Sequence, residues 1–334
     1  MSGQAPHAAD RPPGFASSSL AGVAMVLAAA LLWGSTGTAQ SFAPPQLSSY
    51  WVGALRLAVA GLFFTAWLLA SERPALAPRA LAALPWRAIA AAALCMAAYN
   101  LAFFAGVRAS GVAVGTAIAL GSAPVWAGLL QWLRTGLAPA PAWWGGTALA
   151  VTGGALMVLV SATGGAGGTS GTSSTGGTVG TVGTAPSAAG VALCLVAGLS
   201  YAVYAQLNQR MVAGASAAAV TGAAFALAAL LALPLAWALA GPPVLVRSDL
   251  LIVGWLGVMS TGVAYLLLSH ALRRIGSATA VTLSLGEPVT AFVLALLVVG
   301  ERPGPAAFAG LAAVLLGLAL VVRVELRAAV ARPR

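Results

Sequence analysis

The chain has 334 residues, of which 60% are hydrophobic and only 7% charged, and its formal net charge is +10. A soluble domain carries about 25% charged residues, so this composition excludes a soluble fold. The basic residues are all arginines, and they lie in short segments between apolar stretches. That distribution argues against a nucleic-acid partner and indicates membrane-topology signals instead.

Ten apolar stretches are long enough to cross the ~30 Å hydrocarbon layer of a bilayer, and we predict a transmembrane helix in each. Turn-forming residues separate these stretches, for example Pro44-Pro45 and Gly241-Pro242-Pro243. The predicted spans are 19–39, 49–70, 87–106, 112–133, 142–161, 188–208, 217–240, 249–271, 277–298 and 304–324.

The distribution of arginines predicts the orientation of these spans. With the N-terminus in the cytoplasm, twelve arginines face inward, three face outward (Arg108, Arg247 and Arg302), and Arg56 lies within a span. This bias predicts a multi-pass protein of a bacterial-type inner membrane with both termini in the cytoplasm. The first 18 residues lack the basic region and apolar core of a signal peptide, so the first span itself is expected to direct insertion.

The second half of the chain repeats the first. Five spans per half is an odd number, so the second copy must cross the membrane in the opposite sense, which gives an inverted repeat typical of transporters. At a shift of 164 residues Gly136, Gly146, Gly153 and Pro124 fall on Gly300, Gly310, Gly317 and Pro288, and at a shift of 168 Trp33 falls on Tyr201.

These observations predict a division of the chain into two tails, two repeats and a linker. The linker is dominated by Gly, Thr and Ser and is expected to be flexible and extracytoplasmic. The predicted parts are a cytoplasmic tail at 1–18, a first repeat at 19–161, the linker at 162–187, a second repeat at 188–324 and a basic cytoplasmic tail at 325–334.

Several motifs, in order and spacing, resemble the EamA-domain branch of the drug/metabolite transporter superfamily. They are Leu31-Leu32-Trp33-Gly34-Ser35, Arg56-Leu57, Leu285-Gly286-Glu287-Pro288-Val289, Gly300-Glu301-Arg302, Gly310 and Gly317. The resemblance extends from about residue 20 to 325. It implies an all-α membrane fold of ten helices in two five-helix repeats, a central cavity, and secondary transport, often export of amino acids or other small metabolites. The chain departs from the family pattern at Leu137. This position of the first half corresponds to Glu301, and the pattern suggests an acidic residue there.

Glu287 lies near the middle of its predicted span, where a charged group costs at least ~2.5 kcal/mol. It must therefore face protein or a wet cavity. The following Pro288 has no N–H, which predicts a bent helix with an unpaired carbonyl at Ser284. Glu287 is expected to bind a cationic group of a substrate or to carry a coupling proton; the alternative is a protonated, hydrogen-bonded packing residue. Its counterpart in the first half is Ala123.

Arg56 lies ~10 Å inside its span, counted from the outer end. A guanidinium holds a carboxylate through two parallel hydrogen bonds, so Arg56 is a candidate anchor for a substrate carboxylate or a partner for Glu287. The alternative is an arginine whose long stem extends to the membrane interface.

A set of aromatic and amide side chains lies well inside the predicted spans and could line a cavity. Close helix packing is the alternative for the aromatic residues, and it is also predicted for Gly111 and Gly115 from their four-residue spacing. The candidate wall residues are Trp33, Tyr99, Asn100, Trp126, Tyr201, Tyr204 and Tyr265.

The sequence contains no pattern of an enzyme, a metal site or a cofactor site. Cys95 and Cys194 have no metal-ligand spacing, and the glycine-rich linker lacks the lysine of a phosphate-binding loop. We expect small-molecule substrates, a lipid environment, protons as a candidate coupling ion, and a monomer or homodimer. The alternatives are a multidrug or quaternary-ammonium exporter, a channel, and a membrane interaction or sensory protein without transport.

Overall fold

The structure is a computed structural model, and it describes residues 15–41, 48–164, 187–243, 247–300 and 303–331. These ranges are helical and contain no strand, and ten helical segments are long and apolar enough to cross a membrane. The ten predicted spans are therefore confirmed, as is the all-α membrane fold. In chain order the helices are α1 (Phe15–Ser41), α2 (Ser49–Ser71), α3 (Pro78–Ala82), α4 (Trp86–Ser110), α5 (Val112–Thr135), α6 (Pro141–Gly164), α7 (Ala188–Gly214), α8 (Ala217–Ala240), α9 (Arg247–Gly257), α10 (Ala264–Ala271), α11 (Ser277–Leu283), α12 (Gly286–Leu294) and α13 (Pro305–Ala331).

The helix ends differ from the predicted span ends chiefly at α7 and α13. These two helices continue beyond the predicted positions 208 and 324, to Gly214 and Ala331. In both cases the extra turns are more polar than the span but contain no glycine or proline before the last residue that would stop a helix. The segment from 165 to 186, which holds most of the predicted linker, lies outside the described residues, as does the N-terminal segment 1–14.

Two spans of the second repeat are built from several pieces. The eighth span, Asp249–Ala271, comprises α9, a π-helical turn at Val258–Val263 and α10. The ninth span, Ser277–Val298, comprises α11, α12 and a second π-helical turn at the end, Ala295–Val299. Such wide turns occur frequently at functional sites. The counterparts in the first repeat, α4 and α5, are uninterrupted helices.

Equivalent glycines end equivalent spans in the two repeats with the same backbone conformation. Gly136 follows α5 with φ 70°, and Gly300 follows the π-helical turn of the ninth span with φ 78°. These left-handed conformations favour glycine and end a helix by letting the chain turn away. The two residues fall on each other at the shift of 164, so equivalent spans end in the same way.

The packing of α6 against α13 relates the two halves by an approximate two-fold axis. A Cβ on Gly153 would lie 2.7 Å from the Gly310 carbonyl oxygen, and a Cβ on Gly146 would lie 2.9 Å from the Gly317 carbonyl oxygen. Since Gly310 is the counterpart of Gly146 and Gly317 that of Gly153, each glycine meets the counterpart of the other. Reciprocal contacts of this kind make the two helices antiparallel, as an inverted repeat requires.

Other helices also pair across the two halves. α2 packs on α8, where a Cβ on Gly61 would lie 3.4 Å from Ala226 Cα. α4 packs on α7, and α1 packs on the eighth and ninth spans. The first helix of each repeat thus lies against the third and fourth spans of the other repeat, and the core of the molecule is formed between the halves.

Gly111 and Gly115 do not form the close-packing pair that their spacing predicts. A Cβ on Gly115 would lie 2.8 Å from Val107 Cα, so this glycine does allow close approach. Gly111 instead has φ 85° and connects α4 to α5, with open space around it. It is required for the turn and not for packing.

Candidate functional site

Aromatic side chains from both repeats meet at the centre of the bundle. The rings of Trp33 in α1 and Tyr265 in α10 lie 5.2 Å apart, and those of Tyr201 in α7 and Tyr99 in α4 lie 5.7 Å apart. In each pair a first-span ring of one half contacts a third-span tyrosine of the other half. The two pairs are related by the same two-fold axis as the glycines, and we call Trp33, Tyr99, Tyr201 and Tyr265 the aromatic cluster.

Tyr204 extends this cluster but is not accessible from it. Its ring lies 5.8 Å from that of Tyr265, and both contact Phe225. Tyr204 is fully buried, and its hydroxyl accepts a hydrogen bond from Asn208 Nδ2 at 3.4 Å. The structure therefore places this predicted wall residue behind the cluster, where it supports Tyr265.

Glu287 lies at the middle of the ninth span, in the first turn of α12. The span is interrupted at Ser284 and Leu285, because Pro288 cannot donate a backbone hydrogen bond. The prediction of an unpaired Ser284 carbonyl is wrong: this oxygen accepts a hydrogen bond from Glu287 N at 2.9 Å. A tighter turn replaces the missing bond, and it fixes the backbone at Glu287.

Gly34 explains how α1 reaches the turn that carries Glu287. A Cβ on Gly34 would lie 2.5 Å from Thr290 Cβ and 2.7 Å from the Glu287 carbonyl oxygen. Only a glycine permits this approach of the two helices. The motif around Trp33 and the motif around Glu287, which are far apart in sequence, therefore form one structural unit.

Arg56 in α2 is half-buried, and its Nε is buried without a hydrogen-bond partner among the described residues. It lies close enough to Glu287 and to the hydroxyls of Tyr99 and Tyr265 for electrostatic interaction, and Glu287 lies close enough to the same hydroxyls. Both charges therefore lie near the aromatic cluster. Yet no ion pair within 4.0 Å joins them in the described part of the chain.

A buried, unpaired guanidinium nitrogen is energetically unfavourable unless water or a ligand satisfies it. The separation of Arg56 from Glu287 leaves each charge free to contact a third group. The arrangement provides one cationic donor and one anionic acceptor beside aromatic surfaces. It is chemically suited to a small molecule that carries groups of both signs.

Two of the predicted site residues lie apart from this arrangement. Asn100 donates from Nδ2 to the Met96 carbonyl at 2.8 Å, and it lines a narrow groove between α2 and α4 together with Tyr50, Gly53 and Phe104. Trp126 packs on the main core with a buried Nε1 that has no hydrogen-bond partner among the described residues. Within the described ranges, the Trp126 ring makes no contact with a ring of the aromatic cluster.

A buried polar network behind the aromatic cluster was missed by the sequence reasoning. Asn208 Nδ2 donates to Ser269 Oγ at 2.8 Å, and the hydroxyls of Ser269 and Thr221 lie 2.7 Å apart. Together with Tyr204 these side chains join α7, α8 and α10, and all are almost completely buried. The only signal in the sequence was that each polar residue interrupts an apolar span.

Replacing Asn208 with Leu is expected to lower the thermal stability of the purified protein. The substitution keeps a similar volume but removes the amide that joins three helices. In a cycle with Ser269→Ala, we expect a coupling energy of about 0.6 kcal/mol, the mean for interhelical hydrogen bonds in membranes. Melting temperatures of the two single variants and the double variant measure it. Strictly additive losses would show that the two side chains do not act as one network.

Known proteins resemble this chain in sequence. A sequence model described as the EamA-like transporter family matches residues 20–159 and 188–323, which is most of the chain. The chain belongs to the EamA-like transporter family. It is also 34% identical over 298 residues to a protein named uncharacterized transporter YwfM of Bacillus subtilis (strain 168), an alignment that covers 89% of this chain and 92% of that protein.

A solved crystal structure resembles this EamA-family chain in fold. The superposition has a TM-score of 0.72 and covers 92% of this chain and 98% of the other, at 19% sequence identity. At that identity the likeness establishes the fold and carries no information on substrate. The family and the ten apolar helices together identify a multi-pass membrane transporter of small molecules.

Proposed function

We propose that this EamA-family protein is a secondary transporter that exports amino acids or closely related zwitterions by alternating access. The observation that carries the proposal is the pair of opposite charges, Arg56 and Glu287, which lie near one aromatic cluster without an ion pair between them in the described part of the chain. The carboxylate of the substrate would contact Arg56, and its ammonium group would contact Glu287. The aromatic cluster would pack on the rest of the molecule.

The direction and orientation rest on separate arguments. The twelve-to-three distribution of arginines supports an inner-membrane protein with both termini in the cytoplasm. The inverted repeat supports rocking of one half against the other, which would expose the aromatic cluster to each side in turn. Glu287 is the candidate carrier of a coupling proton, because among the described residues it is the acidic side chain that lies near the cluster.

A quaternary-ammonium exporter is the main competing function, since aromatic rings attract cations through their faces. The position of Arg56 argues against it. Arg56 lies near the same tyrosines as Glu287, and a quaternary ammonium carries no carboxylate that could pair with this permanent positive charge.

Counterflow in proteoliposomes tests the proposal. Vesicles are loaded with an unlabelled amino acid, and the uptake of the same labelled compound is compared with that of a simple amine, a simple carboxylate and a quaternary ammonium. We expect exchange of zwitterions to exceed that of compounds with one charged group by about tenfold or more, since each lost charge-assisted bond is worth about 1.5–3 kcal/mol. Exchange confined to the quaternary ammonium, or leak without counterflow, would contradict the proposal.

A further inference from the structure

Two arginines lie side by side where α5 and α7 end, outside the aromatic cluster. Arg134 Nη1 donates to Gln206 Oε1 at 2.8 Å. Arg210 follows Gln206 by four residues in α7, so the two side chains leave the same face of that helix. The positive charge of Arg210 acts on Arg134. Helix geometry therefore gathers two like charges at one point on the protein surface.

This point belongs to an arginine-rich face of the bundle. Successive spans end on alternate faces, so α2, α5, α7, α10 and α13 all end on the same one. We call it the arginine-rich face, and the described arginines there are Arg73, Arg79, Arg87, Arg134, Arg210, Arg273, Arg274, Arg323 and Arg327.

Nothing in the described part of the chain neutralises Arg134 and Arg210. No ion pair within 4.0 Å joins either arginine to an acidic side chain in those ranges. Two acidic residues near this face are already engaged: Glu72 accepts a hydrogen bond from Ser216, and Glu325 accepts one from Thr279 at 2.6 Å. An external anion that contacts both guanidinium groups would offset the repulsion between them.

Arg134 is held in place by a buried side chain. Gln206 is only 5% exposed, and its Nε2 donates to the Ala127 carbonyl at 3.4 Å. One guanidinium nitrogen of Arg134 is fixed by this amide, while the group has five N–H donors in total. The remaining donors of this exposed side chain can be offered to a ligand.

The surface next to Arg134 is apolar and open to the bilayer. Leu133 is 79% exposed and Trp132 is 49% exposed, although both lie in the last turn of a spanning helix. Tryptophan side chains at span ends typically lie at the level of the lipid headgroups. Leu133, the residue before Arg134, thus gives a ligand at the two arginines an exposed apolar side chain at the same level of the bilayer.

We propose that Arg134 and Arg210 form a binding site for the phosphate of an anionic phospholipid headgroup at the arginine-rich face. A guanidinium group matches phosphate oxygens through two parallel hydrogen bonds. A soluble phosphate compound would satisfy the same donors. Only a lipid would also cover the exposed Leu133 with an acyl chain, and this difference favours the lipid as the source of the phosphate.

Titration of the purified full-length protein with phosphatidylglycerol tests the site, with phosphatidylcholine as the neutral lipid. We expect phosphatidylglycerol to raise the melting temperature, and the variant with Arg134→Gln and Arg210→Gln to bind it about tenfold more weakly, because charge-assisted bonds are lost. The matched control carries Arg79→Gln and Arg327→Gln, which removes the same charge from the same face. It should bind phosphatidylglycerol as tightly as the parent.

A lysine variant and a titration with inorganic phosphate provide two further tests. The variant with Arg134→Lys and Arg210→Lys keeps both charges, so it should fold, and its affinity should fall between those of the parent and the Gln variant. Equal weakening in the Gln variant and its matched control would overturn the proposal in favour of diffuse surface charge. An equal rise in melting temperature with inorganic phosphate would overturn the lipid assignment and indicate a soluble-anion site. Transport activity is measured separately, so failure of the lipid site leaves the proposed function untouched.

Discussion

Replacement of Glu287 with Gln is expected to weaken substrate binding by about ten- to a hundredfold, because a charge-assisted hydrogen bond to the substrate amine is worth about 1.5–3 kcal/mol. Glutamine has the same shape, and the turn from Ser284 to Glu287 is held by a backbone bond that the substitution preserves. Folding should therefore be unaffected. Counterflow by the reconstituted variant, with binding measured over a range of substrate concentrations, checks the expectation.

A second variant, in which Arg56 is replaced, separates substrate recognition from membrane anchoring. Lysine keeps the positive charge and can extend to the interface, but it cannot form two parallel bonds with a carboxylate. Arg56→Lys should therefore bind substrate weakly while its amount in the membrane stays unchanged. Full transport by both Glu287→Gln and Arg56→Lys would refute the assignment of these charges to the substrate. A difference between the two variants would identify which end of the substrate is read.

Replacement of Gly153 with Ala should destabilise the protein by about 1–3 kcal/mol, the usual cost of forcing extra volume into a packed core. The new methyl group would lie 2.7 Å from the Gly310 carbonyl oxygen and 2.7 Å from Val314 N. Both are backbone atoms, which cannot move unless α6 and α13 separate. The melting temperature of the purified variant, compared with that of the parent, measures the effect.

The neighbouring residue supplies a matched control. Gly154 lies in the same helix, and a Cβ there would meet no atom within 4 Å, so Gly154→Ala should leave the melting temperature unchanged or raise it. Gly310→Ala should repeat the loss seen for Gly153→Ala. Once the helices have separated for one methyl group the second costs less, so the double variant should lose less than the sum of the two. Equal stability of the Gly153 and Gly154 variants would contradict the reciprocal packing.

Much of the fold could be predicted because the bilayer imposes a length. Any apolar stretch near 20 residues without charges must cross as a helix, and the ten spans follow from that rule. The inverted relation of the halves followed from counting spans and arginines. The contact of Gly153 with Gly310, which is the counterpart of Gly146, then gives the sequence repeat a physical meaning, since residues matched by the shift are brought to the same axis.

The parts that were not predicted depend on neighbours in space. No proline marks the π-helical turn at Val258–Val263. Gly257 and Gly262 lie at it, but only the structure shows that they admit Val59 and Phe63 of α2. The Ser284 carbonyl was expected to be free, but a rule for regular helices does not cover a backbone that tightens its turn. Gly111 and Gly115 share a spacing motif, yet only the backbone angle shows that Gly111 turns the chain.

The candidate site was predictable to a similar degree. Residues that are costly in lipid, such as Glu287 and Arg56, stand out in any apolar chain, and the structure places both charges at the aromatic cluster. Asn208, Ser269 and Thr221 are ordinary polar residues when considered singly. Their importance arises from mutual hydrogen bonds across three helices, which no local pattern encodes.

The reciprocal crossing of α6 and α13 is the kind of contact that two identical subunits make about a dyad. Here both partners belong to one polypeptide, so the contact has the symmetry of a homodimer interface within a single chain. Its cohesion comes from glycine surfaces and not from the covalent connection between α6 and α7. We therefore expect the two five-helix halves to assemble when they are expressed as separate polypeptides inserted in opposite senses.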